Sequence, residues 1–350
     1  MLKRLQNDIE AIGAGAFLVT NPANVRYLSG FSNPKDARVL VYANEMILIT
    51  DGRYNAQAEA ESKIDYKIFP ITKSLNEFIA ELVKGKKLAI EANQISVAEN
   101  NALTEILTYE PIASEDIVAK YRLVKTETEL EQIRIAAKIA DDAFSHILNY
   151  IKPGVKEVEI ALELEGFMRK AGAEGLAFDS IVASGYRSSM PHGTASQKLI
   201  EAGDLVTLDF GANYNGYNSD MTRTVAVGQI SEQAHMIYHS VLEAQEAALK
   251  AVKPNLDCKD LDAVARGILE KHELAEYFSH GLGHGVGIDI HEAPRLSMKS
   301  KDRLEPNMVI TIEPGVYIPN KIGLRIEDLV FVTDNDYELV SKSNKNLIQL

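Results

Sequence analysis

Leu205–Val227, LVTLDFGANYNGYNSDMTRTVAV, carries two carboxylates, Asp209 and Asp220, in a stretch that alternates apolar and polar residues. On a helix their spacing would return both to one face, but roughly 16 Å apart along the axis, too far to share an ion. Gly211 and the Asn215-Gly216 pair break a helix in any case. The alternation on either side of them predicts two antiparallel strands joined by a loop. Thr207 and Asp209 then share one strand face, and Asp220, Thr222 and Thr224 share one on the partner strand. Both carboxylates can face one site.

The same design returns further along. Met308–Val316 (MVITIEPGV) and Leu324–Val332 (LRIEDLVFV) read as strands, with Glu313 and Glu327 near corresponding positions across a connection rich in Pro, Gly and Asn. Asp209 and Glu313 each follow an apolar run, and buried carboxylates without cations are costly. Between the two hairpins lies Ser279–Glu292, SHGLGHGVGIDIHE. His280 and His284 have the i, i+4 spacing of helical zinc proteases, but Gly281, Gly283, Gly285 and Gly287 oppose a helix. Position 281 also lacks the Glu which that signature requires. A phosphate-cradling loop fits no better, because neither a strand-loop-helix setting nor a following Lys-Ser/Thr is present. The remaining explanation is close backbone approach around a crowded site, with one His on metal and the others free for hydrogen bonding and proton work. Asp209, Asp220, His284, Glu313 and Glu327 together make a hard donor set suited to a pair of divalent ions such as Mn²⁺, Co²⁺ or Zn²⁺.

Length and charge bound the rest. A chain of 350 residues exceeds the size at which a single core stops growing, so two domains are expected. With 50 acidic against 37 basic residues the net charge is −13, which disfavours nucleic acid and anionic membrane as partners. The sole cysteine, Cys258, cannot form an internal disulfide. Met-Leu-Lys-Arg leads into the amphipathic stretch Leu2–Ile12, so no signal peptide is read. No apolar run reaches the ~18 residues of a membrane span, and the expected location is cytoplasmic.

Up to about Ala119, β-rich runs (Phe17–Thr20, Arg38–Tyr42, Met46–Thr50, Lys87–Ile90) alternate with helical patterns (Ala56–Ser62, Leu75–Val83, Val97–Leu107), as in an α/β domain. Helices are predicted over Glu127–Ile151, stopped by Pro153-Gly154, and over Val155–Ala171, Glu232–Ala251 and Lys259–His272. The boundary is set between residues 1–121 and 122–350.

With these residues in place, the chain resembles the pita-bread metallopeptidases, in the branch of aminopeptidase P and prolidase, which cleave the bond preceding proline. The resemblance covers the whole chain. It implies an α/β (α+β) fold, with a creatinase-like N-terminal domain followed by a catalytic domain of pseudo-twofold symmetry. Matched one by one, Asp209, Asp220, His284, Glu313 and Glu327 fall on the ligands of the family's dinuclear site, with Asp220 and Glu327 bridging. Mn²⁺ is the metal the family implies first. Ser184–Gly193 (SGYRSSMPHG) resembles the family stretch whose His, here His192, lies beside the substrate, although the family often has Asn where this chain has Arg187. Arg325, two residues before Glu327, matches a basic residue that supports the metal carboxylates. Asn21–Gly30 and Thr50–Tyr54 also resemble the family, more weakly.

The resemblance further implies that Glu313 takes the attacking water's proton and passes it to the leaving prolyl nitrogen, while His192, His280 and His291 bind substrate and stabilise the oxyanion. The main expectation is an Xaa-Pro aminopeptidase acting on small peptides with proline in second position. The alternative is an Xaa-Pro dipeptidase (prolidase), which must recognise a free carboxylate. Gly281, where some microbial prolidases carry Arg, favours longer substrates, whereas Arg187, Arg295 or residues around Asn33–Arg38 offer a carboxylate partner. A metal-free creatinase-like enzyme and a non-catalytic binding protein are opposed by the intact ligand set. A methionine aminopeptidase is opposed by the extra N-terminal domain. Relatives are commonly homodimers, and Ser29–Arg38 is the segment expected to approach a neighbouring subunit.

Overall fold

Short β-branched runs with period-two alternation build the first unit around a sheet that is apolar on both faces. The computed structural model describes residues 1–42, 44–83 and 85–350, which fall into two compact units, Met1–Arg122 and Leu123–Leu350. In the first, strands β1 (Ala16–Val19), β2 (Ala37–Tyr42), β3 (Glu45–Thr50), β4 (Asp65–Ile68), β5 (Leu88–Glu91) and β6 (Ile112–Ser114) form a mixed sheet in the order β4-β3-β2-β1-β5-β6. Phe17, Val19, Val39, Val41 and Leu48 bury one face against α1 (Leu2–Ala11) and α2 (Pro22–Ser29). Leu18, Leu40, Ile47, Ile49 and Ile90 bury the other against α4 (Leu75–Leu82) and α5 (Val97–Leu107). The remaining helices of this unit are α3 (Asn55–Glu61) and the short α6 (Ala119–Arg122). The α/β pattern expected for this segment is therefore present, with β4, β6, α2 and the short α6 added to the elements the sequence pattern marked.

The second unit repeats one theme, a pair of helices backing an antiparallel sheet. Helices α7 (Glu127–Ile147) and α8 (Glu157–Lys170) lay Phe144, Ile147, Ile160 and Leu164 on strands β8 (Ile181–Ser184), β9 (Leu205–Phe210) and β12 (Met221–Ala226). Helices α9 (Glu232–Ala251) and α10 (Cys258–Lys271) lay Ile237, Val241, Leu261 and Leu269 on strands β13 (Gly283–Gly285), β14 (Glu292–Leu296), β15 (Val309–Ile312) and β18 (Asp328–Val332), with β19 (Tyr337–Leu339) at the sheet's end. Thr126 opens α7 with a capping box to Glu129. This helix ends at Ile147, four residues before the predicted Ile151, because the chain turns ahead of Pro153. Among the described residues, no helix is long and apolar enough to cross a membrane.

Both acidic hairpins are present, with differences in detail. Strands β9 and β12 pair antiparallel with Asp209 opposite Thr222 and Thr207 opposite Thr224. The Asn215-Gly216 turn, with φ of +47° and +79°, closes a smaller hairpin, β10 (Ala212–Tyr214) and β11 (Tyr217–Asn218), inserted between them. A third short strand, β7 (Gly175–Leu176), pairs with β10. The continuous strands predicted over Met308–Val316 and Leu324–Val332 are each broken. Val309–Ile312 pairs with β18, whereas β16 (Gly315–Ile318) pairs with β17 (Ile322–Arg325) in a separate two-stranded sheet. Pro314 has no N–H for a ladder, so the break falls there, and Glu313 and Glu327 sit at the two facing breaks.

Candidate metal centre

The breaks matter because a carboxylate between strand segments is released from the pleat and can turn toward the β9–β12 pair. The Glu327 N–H donates to Thr222 O at 3.1 Å and the Glu313 N–H to Leu282 O at 2.9 Å, which anchors each glutamate backbone to a different strand region. The Thr222 hydroxyl donates to Glu327 Oε2 at 2.6 Å and the Thr311 hydroxyl to Glu313 Oε1 at 3.2 Å. Asp209 projects from β9, and Asp220 precedes the first residue of β12.

His284 arrives from the glycine-rich segment, which is a short strand rather than a helix. A Cβ on Gly283 would stand 2.1 Å from Thr311 O, and one on Gly285 would stand 2.1 Å from Ala293 O, so only glycine permits this approach of β13 to its neighbours. The Nδ1 of His284 lies 3.1 Å from Gly285 O. A carbonyl only accepts, so Nδ1 carries the hydrogen and Nε2 is left with its lone pair toward the site. That Nε2 lies 3.6 Å from Asp220 Oδ2 and 3.4 Å from Glu313 Oε1.

Asp220, His284 and Glu327 offer ligand atoms within 4.8 Å of one another. Asp209 Oδ1 and Glu327 Oε1 are buried and accept no hydrogen bond. Burial pushes Asp220 well above the usual carboxylate range, and the charges of Glu327, Asp209 and Glu313 add to this. Glu327 is raised by burial and by Glu313 and Asp209, and Glu313 is pushed up to about 8, chiefly by burial and against the pull of Arg325. Carboxylates crowded in this way, with buried oxygens left without donors, fit divalent cations, which would supply the positive charge the site lacks and take up the free acceptor oxygens.

Arg325 ties the cluster together. It donates from Nη2 to Asp209 Oδ2, from Nε to Thr222 Oγ1 at 3.0 Å, and from Nη1 to Tyr317 Oη at 2.6 Å and Pro191 O at 3.3 Å. The Tyr317 hydroxyl lies 3.1 Å from His280 Nε2, and His280 Nδ1 lies 2.8 Å from Gly281 O. His280 therefore donates from Nδ1 and accepts at Nε2 from Tyr317. Burial first, and Arg325 next, lower its pKa to about 4, so it is neutral at neutral pH. With both nitrogens engaged it braces Tyr317. His291 packs against His284 with ring centroids 4.3 Å apart. His192 is exposed, yet close enough to His280 and His291 to disfavour their protonation. Arg187 donates to Glu157 and to Thr194 O.

Tyr317 was not marked from the sequence, because it lies one residue beyond the strand predicted over Met308–Val316. Thr311 carried a usable signal, two residues before Glu313 on the same strand face.

Fold and site together are those of a metallopeptidase. Residues 131–334 match Metallopeptidase family M24, and residues 1–124 match the Creatinase/Prolidase N-terminal domain. The chain belongs to metallopeptidase family M24. It is 40% identical to the Xaa-Pro dipeptidase of Pyrococcus furiosus, an alignment covering 99% of each chain. Among solved structures, an Xaa-Pro dipeptidase from Bacillus anthracis superposes with a TM-score of 0.95 at 43% identity, covering 100% of this chain and 99% of that one. An X-Pro aminopeptidase from Thermotoga maritima superposes with a TM-score of 0.90 at 36% identity, covering 98% and 100%.

Proposed function

We propose that this metallopeptidase hydrolyses the peptide bond preceding proline, with Asp209, Asp220, His284, Glu313 and Glu327 holding two divalent ions, Mn²⁺ first among them. The observation that carries the reading is the convergence of Asp220, His284 and Glu327 from three segments onto one point, with Glu327 Oε1 left without a donor. When bound there, the ions would supply Lewis-acid polarisation of the scissile carbonyl and a lowered pKa for a water at neutral pH. Glu313 accepts the proton of the attacking water and delivers it to the prolyl nitrogen as the C–N bond breaks. His192 and His291, at the open side of the site, hydrogen-bond the substrate and the developing oxyanion. Arg325 and Tyr317 keep Asp209 in place from behind. An Xaa-Pro nitrogen carries no hydrogen, so a site that asks for no donor there and accommodates the pyrrolidine ring selects it.

Dipeptides stand beside longer peptides as substrates. Arg295, the register partner of His284, is exposed, and its guanidinium makes no hydrogen bond or ion pair among the described residues. It is free to take the carboxylate of a C-terminal proline, which Arg187 is not. The test is hydrolysis of an Xaa-Pro dipeptide, an Xaa-Pro-Yaa tripeptide and a proline-free control by metal-stripped protein with and without Mn²⁺. Metal-dependent cleavage of either proline peptide, and not of the control, is expected. Cleavage of neither would sink the proline reading.

A further inference from the structure

Glu157, the first residue of α8, is wholly buried and lies outside the metal cluster, yet its carboxylate gathers five donors. Oε1 accepts from the Ser184 N–H at 2.7 Å and the Ser184 hydroxyl at 2.8 Å. Oε2 accepts from the Ser196 N–H at 3.1 Å, the Ser196 hydroxyl at 2.6 Å, and Arg187 Nη1. Through its other nitrogen, Arg187 donates to Thr194 O at 2.8 Å. One side chain thus grips both ends of the segment 184–196 and, through Arg187, its interior.

The segment is also held by the Ile181–Thr194 bridge and by turn hydrogen bonds from the Met190 N–H to Arg187 O and from the Gly193 N–H to Met190 O. Tyr186, Met190 and His192 are exposed, and Ser184, Ser188 and Gly193 are its buried members. On the opposite side it meets the metal centre: Pro191 O accepts from Arg325, and Ser188 Oγ accepts from the Gly323 N–H at 2.9 Å. His192 follows Pro191 directly in the chain. A buried ion pair is an expensive way to gain stability, since desolvation cancels much of the attraction, but it fixes geometry well.

We infer that the Glu157–Arg187 pair is a positioning clasp that sets His192 at the mouth of the metal centre, so that it governs substrate handling without touching metal or substrate. This rests on the substrate role assigned to His192 above.

A double-mutant cycle on R187M and H192A tests it, read as kcat/KM on an Xaa-Pro substrate with Mn²⁺-loaded enzyme. Amide hydrogen exchange over residues 184–196 is followed on the same proteins. R187M is expected to lose kcat/KM on the order of tenfold, at unchanged metal content. Exchange over 184–196 should rise while β9 and β12 stay protected, and the loss should vanish in the H192A background. Additive effects of the two substitutions, or unaltered exchange, overturn the proposal. Should R187M fail to fold, R187K decides: it keeps a charge against Glu157 but has no second nitrogen for Thr194 O. It is expected to show a smaller loss, again absent with H192A, and wild-type exchange and activity in R187K would overturn the clasp. If the wild-type enzyme cleaves no Xaa-Pro peptide, the functional reading fails instead, and the exchange data alone still decide whether Arg187 holds the segment.

Discussion

The hydroxyl of Thr222 donates to Glu327 Oε2 at 2.6 Å and receives a hydrogen bond from Arg325 Nε at 3.0 Å. This one buried threonine therefore joins the β9–β12 pair to the segment bearing Glu327, and it orients the oxygen next to the one left bare. Removing the hydroxyl in Thr222→Val leaves Glu327 without its donor. Metal affinity is expected to fall about 10–100-fold, as for other supports of metal ligands. Calorimetric titration of metal-stripped protein with Mn²⁺ measures this, and wild-type affinity in the variant would remove Thr222 from the account.

Loss of a ligand should act differently from loss of a substrate contact. Asp220→Asn and Glu327→Gln are expected to bind less metal and to lose turnover by at least ~100-fold. His192→Ala should keep its full metal content while turnover drops. Metal analysis beside activity separates the cases, and metal loss from His192→Ala would show that its role has been misplaced.

The crowded carboxylates make the metal-free protein sensitive to pH. Glu313, pushed up to about 8, has a folded-state pKa above its unfolded value, so its contribution to stability is present at low pH and is lost as pH rises through about 8. His280, lowered to about 4, works the other way, favouring the fold as pH rises toward its ordinary value near 6.5. Between about pH 6.5 and 8 the carboxyl effect is left unopposed. Stability of EDTA-treated protein should fall there by on the order of 1.4 kcal/mol per pH unit for each proton released. Saturating Mn²⁺ should flatten the curve. Thermal melts across this range test the sign, and a rise in stability with pH would contradict it.

Arg295 is predicted to read chain length. A charge-assisted hydrogen bond to a terminal carboxylate is worth about 1.5–3 kcal/mol, so Arg295→Met should lower kcat/KM on an Xaa-Pro dipeptide by about 10–150-fold. An Xaa-Pro-Yaa tripeptide, whose carboxylate lies one residue further on, should be cleaved almost as before. Equal losses on both substrates would assign Arg295 to some other task.

Much of the chemistry could be read without coordinates. The donor types at Asp209, Asp220, His284, Glu313 and Glu327 are chemical facts of the chain, and turn residues such as Asn215-Gly216 forced strands on a stretch whose spacing alone would have allowed a helix. The glycines around His284 signalled backbone crowding, and Gly283 and Gly285 do meet backbone carbonyls. Less legible were the strand breaks at Glu313 and Glu327. An apolar run looks the same whether it pairs with one partner along its length or changes partner half-way, and only the packing of β15 on β18 and β16 on β17 distinguishes these.

The sequence by itself determined which atoms are available to bind metal and which segments must be strands, because side-chain chemistry and backbone preference are local properties. Tertiary structure alone decided how each polar group is used. It directed Arg187 to Glu157, committed both nitrogens of His280, and left Arg295 open. The partners of these groups lie at long and unrelated separations along the chain, and a hydrogen bond is specified by distance in space.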